Sequence, residues 1–344
     1  MSEIVLNGRN IGPRYSPLVI AEIGINHEGN FDKAVQMIDD AAAAGCECVK
    51  FQCHVVDDEM IPNDVVPDNA DESIWNIMSR CALSEDEDRK LKEYVERQGM
   101  IYLSTPFSRA AADRLERMDV QAYKIGSGEC NNYPLVRHIA AFGQPVILST
   151  GMNNLPSIDR AVDILREYNI PFGILHCTSM YPTPYDKVHL GAINILKERY
   201  TDAVVGLSDH SPGVYSCFGA VALGADILEK HFTSDKTWPG PDVPISIDGT
   251  ELANLLEGAD AVGRARGGGK EILEEEQPTI DFAYASVVAI RDIEPGETLS
   301  MDNVWVKRPG TGEIRAEDFD NLLGRKTRHR IAENQQLKWQ DIYE

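Results

Sequence analysis

The sequence predicts a (β/α)8 barrel followed by a small, β-rich domain. Over roughly the first 260 residues, about eight short apolar runs alternate with amphipathic segments, which matches a barrel in both number and length. Each run is almost uninterrupted in apolarity, as is typical of parallel strands that helices cover on both faces. A doubly wound open sheet is the alternative, but it needs fewer units, and no GxGxxG follows the first strand.

The predicted strands are short, and most of them end in polar residues. Helices are predicted at about 32–44 and 83–98, the second because Ser84 precedes a run of acidic residues. The insertion 54–80 is predicted to be a long loop, which in a barrel is usually functional or mobile. The strands are 18–24 (LVIAEIG), 48–52 (CVKFQ), 101–106 (IYLSTP), 122–127 (AYKIGS), 146–151 (VILSTG), 172–177 (FGILHC), 204–210 (VVGLSDH) and 227–232 (ILEKHF).

The domain boundaries follow from the change in pattern near residue 285. We assign 1–270 to the barrel, 271–284 to a linker and 285–344 to the small domain. The glycine triplet 267–269 lacks the strand–loop–lysine context of a phosphate loop, so a hinge is favoured there. A domain of about 60 residues is marginally stable alone and would gain from packing against the barrel or a partner subunit.

The composition is that of an ordinary globular protein, with 43% hydrophobic and 26% charged residues. No apolar run approaches the roughly 18 residues of a membrane span, and residues 1–12 show no secretory signal, so a cytoplasmic location is expected. The seven cysteines form no CxxC pair, which favours buried structural thiols over a zinc or redox site. The net charge of −22 argues against nucleic acid or an anionic membrane as a partner.

Polar residues at the carboxyl ends of the predicted strands indicate the active site, because catalytic groups of a barrel lie there. Lys50 and Lys124 are the most informative, since a lysine in a buried strand is costly unless it is paired with an anion. Both have hydroxyl or amide neighbours, as a phosphate or carboxylate pocket requires. The alternative for each lysine is an ion pair with a carboxylate on a neighbouring strand.

Two histidines and one glutamate complete the candidate site. His210 and His231 end the seventh and eighth predicted strands, so their rings could converge on one divalent ion with open positions for a substrate. Nitrogen and oxygen ligands suit Mn, Co, Fe or Zn, and Mg less well. Glu22 ends the first strand and could bind the metal, act as a general base or hold a substrate hydroxyl. Its alternative role is to pair with Lys50.

Several long motifs resemble the bacterial sialic acid synthase family. The segments IAEIGINHEGN, VKFQ, STPFS, YKIGSGECNNYPL, ILSTGM, LHCTSMYPTP, GLSDHS and EKHF occur in the family's order. In the tail, DFAYASVVA and WVKRPGTG resemble the junction and the C-terminal antifreeze-like (SAF) domain of that family. The likeness covers nearly the whole chain.

The resemblance implies a site for phosphoenolpyruvate (PEP), a divalent metal and an N-acetylated amino sugar. His210 and His231 match the metal ligands, with Mn²⁺ expected and Mg²⁺ or Co²⁺ as alternatives, and Glu22 matches a carboxylate that acts near the sugar aldehyde. Arg308 matches an arginine that one subunit of a domain-swapped homodimer inserts into its partner's barrel. Residues matching the PEP site are Lys50, Thr105, Lys124, Ser127, Ser149 and Ser208, and those near the sugar are Gln52, Asn69, Tyr181 and Asp242. Ser179 replaces an asparagine of relatives, so we leave it out of the predicted site.

The implied function is N-acetylneuraminate synthesis from PEP, N-acetyl-D-mannosamine and water, with release of phosphate. The nearest alternative is a legionaminic acid or other nonulosonate synthase that uses a 2,4-diacetamido-6-deoxy hexose. A metal-dependent aldolase would use pyruvate and gives no role to the two lysines. A binding module for ice or cell-wall sugar leaves the polar strand ends unexplained. The sequence does not distinguish the two sugars.

Overall fold

The computed structural model describes residues 2–343, and these residues form two compact units that divide between Gly267 and Gly268. Within the described part of the chain, no helix combines the length and the apolar character needed to cross a membrane. All seven cysteines are buried free thiols. The two units are described separately.

The first unit is a barrel of eight parallel strands, which confirms the predicted fold class. The ladder runs in the order β5-β4-β3-β10-β9-β8-β7-β6, and β5 and β6 pack side by side to close the barrel. A short antiparallel hairpin of β1 (Ile4–Leu6) and β2 (Arg9–Ile11) precedes it. The barrel strands are β3 (Leu18–Gly24), β4 (Cys48–Cys53), β5 (Ile101–Pro106), β6 (Tyr123–Ile125), β7 (Val146–Ser149), β8 (Phe172–Cys177), β9 (Val204–Asp209) and β10 (Ile227–His231).

Helices cover the outside of the barrel, and all but the shortest of them, Val56–Glu59, bury apolar side chains. The predicted helix start at Ser84 is confirmed, because its hydroxyl accepts a hydrogen bond from the Glu87 amide while the Glu87 carboxylate accepts one from the Ser84 amide. The helices of this unit are α1 (Phe31–Ala43), α2 (Val56–Glu59), α3 (Ile74–Cys81), α4 (Glu85–Arg97), α5 (Arg109–Arg117), α6 (Tyr133–Ala140), α7 (Leu155–Glu167), α8 (Ala192–Arg199), α9 (Tyr215–Ala222) and α10 (Gly249–Ala265).

Alternation along each strand divides the barrel interior into levels. In β3, Leu18 and Ile20 belong to the apolar cluster inside the barrel, whereas Val19 and Ala21 belong to the cluster under the helices. The next inward residue, Glu22, is buried but charged. The same order of apolar and then polar inward positions recurs in β4, with Cys48 followed by Lys50. The polar level therefore forms one layer at the carboxyl ends of the strands.

Two segments differ from the sequence prediction. The hairpin of β1 and β2 was not predicted, and its Ile4, Leu6 and Ile11 side chains join the apolar cluster inside the barrel at the amino ends of the strands. The prediction of a loop across 54–80 is wrong at two places. Val56–Glu59 forms the short helix α2, and α3 (Ile74–Cys81) begins at the side-chain cap Ser73 and buries Ile77 and Cys81.

The second unit has its own small apolar core. Its strands β11 (Ser286–Ala289) and β12 (Val304–Lys307) pair antiparallel, and further isolated bridges link the loops that follow. Helix α11 (Gln277–Ala283) lies within the segment 271–284 that we predicted to be a linker. The core of the unit consists of Val287, Ala289, Ile293, Leu299, Val304, Ile314, Leu322, Ile331, Leu337 and Ile342.

Candidate active site

An inner cavity of about 250 Å³ lies at the carboxyl ends of the barrel strands. Its walls come from the polar inward level and from the first residues of the loops that follow each strand. Eleven of the fourteen predicted site residues line it: Glu22, Lys50, Gln52, Thr105, Lys124, Ser127, Ser149, Tyr181, Ser208, His210 and His231.

The two lysines share one carboxylate, Glu229. Its oxygens lie 3.6 Å from Lys124 Nζ and 3.9 Å from Lys50 Nζ. Lys50 also lies 2.8 Å from Glu22 Oε2, which confirms the ion pair with a carboxylate of a neighbouring strand that was the alternative for this lysine. Glu229 was not among the predicted site residues, although it ends a predicted strand.

Hydroxyl groups complete the surroundings of these charges. Lys50 Nζ donates to Thr105 Oγ1 at 3.0 Å, and Lys124 Nζ donates to Ser149 Oγ at 2.7 Å. The Ser208 hydroxyl donates to Glu229 Oε1 at 3.0 Å. Each buried charge therefore has at least one neutral partner as well as an opposite charge, as buried ions require.

Burial and ion pairing shift the pKa values of these charged groups in different directions. Burial lowers the pKa of Lys124, with Glu229 opposing it. Burial also acts to lower the pKa of Lys50, but the charges of Glu22 and Glu229 outweigh it and raise that pKa. Burial raises the pKa of Glu22, and Lys50 only partly offsets the effect, so this carboxylate is a stronger base than an exposed glutamate.

Two buried polar atoms that face this cavity have no hydrogen-bond partner. They are Glu229 Oε2 and His231 Nδ1. Buried polar atoms are nearly always satisfied in folded proteins, so two of them facing one cavity are typical of a binding site. Their chemistry, with the two lysines, fits a ligand that carries both acceptors and donors.

The two predicted metal ligands lie together. The His210 and His231 ring centroids are 5.4 Å apart, and Tyr181 stacks on the His210 ring at 4.2 Å. His210 Nδ1 lies 3.0 Å from the Thr178 carbonyl oxygen, which can only accept, so in the neutral ring this nitrogen carries the proton and Nε2 keeps its lone pair. The unpartnered His231 Nδ1 and the free His210 Nε2 are the donor set that a divalent ion would need.

Close approach of the loops depends on a glycine just after β7, the fifth strand of the barrel. A Cβ added to Gly151 would lie 2.3 Å from Ser179 Oγ and 2.9 Å from Ser127 Oγ. The Gly151 amide donates to Ser127 Oγ at 2.9 Å, which fixes that hydroxyl on the cavity wall. Ser179, which we left out of the predicted site, also lines the cavity.

An outer cavity of about 630 Å³ adjoins the inner one and shares Gln52, Phe107, Ser179, Tyr181 and His231 with it. It adds two predicted residues from loops, Asn69 and Asp242. Asn69 Nδ2 donates to the Pro241 carbonyl oxygen at 3.1 Å and so joins the two loops. The side chains Ile25, Ile74, Ile77, Met78, Phe107 and Met180 give this cavity an apolar wall.

Thirteen of the fourteen predicted site residues thus line the two cavities, eleven in the inner and two more in the outer. The remaining residue, Arg308, is exposed in the second unit. The residues that the sequence prediction missed are Glu229 and Ser179. Both were recognised as polar residues near strand ends, but only the contacts in the closed barrel reveal their place in the site.

This fold and this site define a (β/α)8 enzyme whose reaction centre lies at the carboxyl ends of the strands. Residues 37–271 match the model of the NeuB family, and residues 284–342 match that of the SAF domain. The chain belongs to the NeuB family, which confirms the family resemblance and the prediction of an enzyme of this synthase type.

Named relatives cover nearly the whole chain. The N,N'-diacetyllegionaminic acid synthase of Campylobacter jejuni is 35% identical over 333 residues, which are 93% of this chain and 98% of the relative. The human N-acetylneuraminate-9-phosphate synthase is 32% identical over 333 residues, which are 95% of this chain and 93% of the relative. The crystal structure of an N-acetylneuraminic acid synthetase from Leptospira borgpetersenii in complex with citrate superposes with a TM-score of 0.75 and 34% identity, over 81% of this chain and 95% of that chain.

Replacing Glu229 tests the charge balance of the inner cavity. Glu229→Gln keeps the shape of the side chain but leaves Lys50 and Lys124 with one countercharge fewer, so we expect the free energy of unfolding to fall by about 3–5 kcal/mol. Inorganic phosphate should raise the melting temperature of the variant more than that of the wild type. The control is Glu257→Gln on the exposed face of α10. Equal stability of Glu229→Gln and the control would contradict the assignment.

Proposed function

We propose that this chain condenses PEP with an N-acetylated hexosamine to form a nine-carbon 2-keto acid and phosphate. The observation that carries the proposal is the inner cavity itself, which is lined by two buried lysines and by two unpartnered polar atoms, Glu229 Oε2 and His231 Nδ1. PEP offers a phosphate and a carboxylate for the lysines and hydroxyls. The reacting water and the aldehyde offer partners for the unpartnered polar atoms.

The anion would bind on one side of the inner cavity. Lys50 with Thr105 and Lys124 with Ser149 form two separate donor pairs, which suit the two anionic ends of PEP. The hydroxyls of Ser127 and Ser208 add donors beside them. Donors fixed in place before the reaction stabilise the charge that moves to phosphate, and a single such donor is typically worth about 3–4 kcal/mol.

A divalent ion fits between His210 and His231, because both rings can present a lone pair to one point. Within residues 2–343 no three His, Cys, Asp or Glu side chains cluster as a metal site, so other ligands would be oxygens of water or substrate. Such an ion, Mn²⁺ in our proposal with Mg²⁺ or Co²⁺ as alternatives, would supply Lewis acidity at the sugar aldehyde.

The reaction balances with the residues that line the cavity. C3 of PEP forms a bond to the aldehyde carbon, and the aldehyde oxygen takes up a proton. Water then adds to C2 of PEP, where positive charge develops, and Glu22 is positioned to accept the proton of that water. The C2–O bond to phosphate then breaks and the C2 hydroxyl passes its proton to the departing phosphate, which leaves the 2-keto group and inorganic phosphate. Over the whole cycle, the proton that Glu22 takes from water balances the one that the aldehyde oxygen gains.

The sugar would occupy the outer cavity, with Gln52, Asn69, Tyr181 and Asp242 as its polar contacts. The family resemblance implies N-acetyl-D-mannosamine as the leading candidate for this sugar. The apolar wall formed by Ile74, Ile77 and Met78, however, favours a sugar that carries methyl groups over one that carries hydroxyls at C4 and C6. A 2,4-diacetamido-6-deoxy hexose has those methyl groups, and the similarity to the Campylobacter synthase supports the same alternative.

A direct comparison of sugars tests the proposal. The purified protein, PEP and Mn²⁺ are incubated with either N-acetyl-D-mannosamine or a 2,4-diacetamido-6-deoxy hexose, and phosphate release and the 2-keto acid are measured. We expect turnover with PEP, and a kcat/KM at least about tenfold higher for the diacetamido sugar because its methyl groups fill the apolar wall. Better turnover of N-acetyl-D-mannosamine would reverse the sugar preference. Turnover with pyruvate in place of PEP would overturn the reaction.

The metal assignment has a test that does not depend on turnover. Changing either His210 or His231 to Ala should abolish the heat of Mn²⁺ binding in calorimetry, while circular dichroism remains that of the wild type. His138→Ala is the matched control, because His138 pairs with Asp113 on the outside of the barrel. If either cavity variant binds Mn²⁺ as tightly as this control, the ligand assignment is wrong.

We also propose that the enzyme is a domain-swapped homodimer in which Arg308 reaches the sugar site of the partner. The support is the family resemblance of the KRPG segment and the exposure of Arg308 in a unit separate from the barrel. An exposed guanidinium is suited to contact an N-acetyl carbonyl or an anionic group on another surface.

Subunit mixing tests this assembly. Arg308→Ala and Glu22→Ala proteins are each expected to be nearly inactive. In a mixed dimer, one of the two sites would combine an intact barrel with an intact arginine. Random mixing at equal amounts makes half of the dimers mixed, so about a quarter of the wild-type activity should return. If the mixture recovers no activity although size analysis demonstrates that subunits have exchanged, the result would argue against a site shared between subunits.

A further inference from the structure

Two side chains outside both cavities extend the hydrogen-bond network of the site. His54, directly after β4, is 4% exposed, and Glu59 ends the short helix α2. The Glu59 carboxylate lies 2.7 Å from His54 Nδ1. On the other side of the ring, His54 Nε2 lies 3.1 Å from Oε1 of Gln52. Neither His54 nor Glu59 lines the inner or the outer cavity.

Gln52 connects this pair to the reaction centre. Its Nε2 donates to Glu22 Oε1 at 3.0 Å, and Lys50 Nζ lies 2.8 Å from the other oxygen of Glu22. The Glu22 carboxylate therefore faces a donor at each of its oxygens and accepts from both Gln52 and Lys50. Only the amide nitrogen of Gln52 can satisfy it, so the amide oxygen of Gln52 must point to His54.

The orientation of the Gln52 amide determines which nitrogens of the His54 ring carry protons. Both ring nitrogens face oxygens that can only accept, the Glu59 carboxylate at Nδ1 and the Gln52 carbonyl oxygen at Nε2. A neutral imidazole has one N–H and can serve only one of them. Phe107 stacks on the ring at 4.7 Å with an angle of 15° and keeps its plane in line with both partners.

We propose that His54, carrying protons on both ring nitrogens and held by Glu59, is a positioning residue that keeps the Gln52 amide nitrogen on Glu22. Without this N–H donor, the amide of Gln52 can turn over and place its oxygen against the Glu22 carboxylate. Glu22 would then lose the hydrogen bond from Gln52, and its carboxylate would no longer be held in one orientation. The proposal rests on the proposed function, because its kinetic consequence appears at the step in which Glu22 takes a proton.

The surroundings of the pair also contain other titratable groups. His27 and Asp88 lie near enough to feel the charge of the His54 ring, and Glu129 faces the charge of Glu59. The simple alternative is that the pair only anchors the segment between β4 and α3. An anchor would affect stability, whereas a positioning residue affects the rate through Gln52 alone.

A double-mutant cycle separates the two roles. His54→Phe keeps an aromatic ring against Phe107 but has no donor, and we expect it to lower kcat about 10- to 100-fold with little change in the KM for PEP. His54→Gln keeps an N–H donor near the position of Nε2 and should recover most of this loss. In a Gln52→Ala background, His54→Phe should cause no further loss of kcat. Equal losses in both backgrounds, or equal losses for Phe and Gln, would overturn the positioning role.

A measurement without turnover distinguishes failure of this inference from failure of the proposed function. In protein labelled with ¹⁵N-histidine, nuclear magnetic resonance reports directly whether each ring nitrogen of His54 carries a proton, with His54→Phe providing the assignment. We expect both nitrogens of His54 to be protonated at neutral pH in the wild type. One nitrogen without a proton would refute the inference even if the enzyme turns over PEP. If both are protonated but no sugar is turned over, the proposed function fails and the ring assignment stands.

Discussion

The inward-facing positions of eight parallel strands determine where every charge of the reaction centre lies. Because side chains alternate along a strand, Leu18, Ile20 and Glu22 share one face of β3. A shift of one residue in register would turn Glu22 outwards and place Ala21 or Ile23 in the cavity. The apolar levels below therefore hold the polar level in place, and the hairpin that closes the amino end of the barrel keeps those levels dry.

Charge balance within the polar level follows from the same constraint. Lys50 and Lys124 face Glu22 and Glu229, so the four groups carry no net charge between them. Two lysines buried without such partners would destabilise the barrel by several kcal/mol. An anion that enters the cavity therefore exchanges one partner of each lysine for another. In the proposed function, this local exchange would allow a chain with a net charge of −22 to bind an anionic substrate.

The sequence predicts the strands and their polar ends well, because both follow from local patterns of apolarity. It predicts the partners of those ends less well. Glu229 was recognised as a strand end, but its place between Lys50 and Lys124 depends on how β10 lies relative to β4 and β6 in the closed barrel. The helix α3 was missed because its eight residues follow a long polar segment. His54 was missed because its contact with Gln52 requires the side chains of both to be placed.

The two cavities separate chemistry from selectivity. The inner cavity takes its charges from strand ends, whose positions the barrel fixes, whereas Asn69 and Asp242 of the outer cavity come from loops. Loops can change their apolar and polar residues without disturbing the strand register. Relatives of similar identity whose names refer to different nine-carbon acids fit this division, because a common reaction centre can be combined with different sugar walls. Under the proposed function, selectivity is therefore to be sought in the wall of the outer cavity, which also includes Ile77 and Met78 of α3, and not in the lysines.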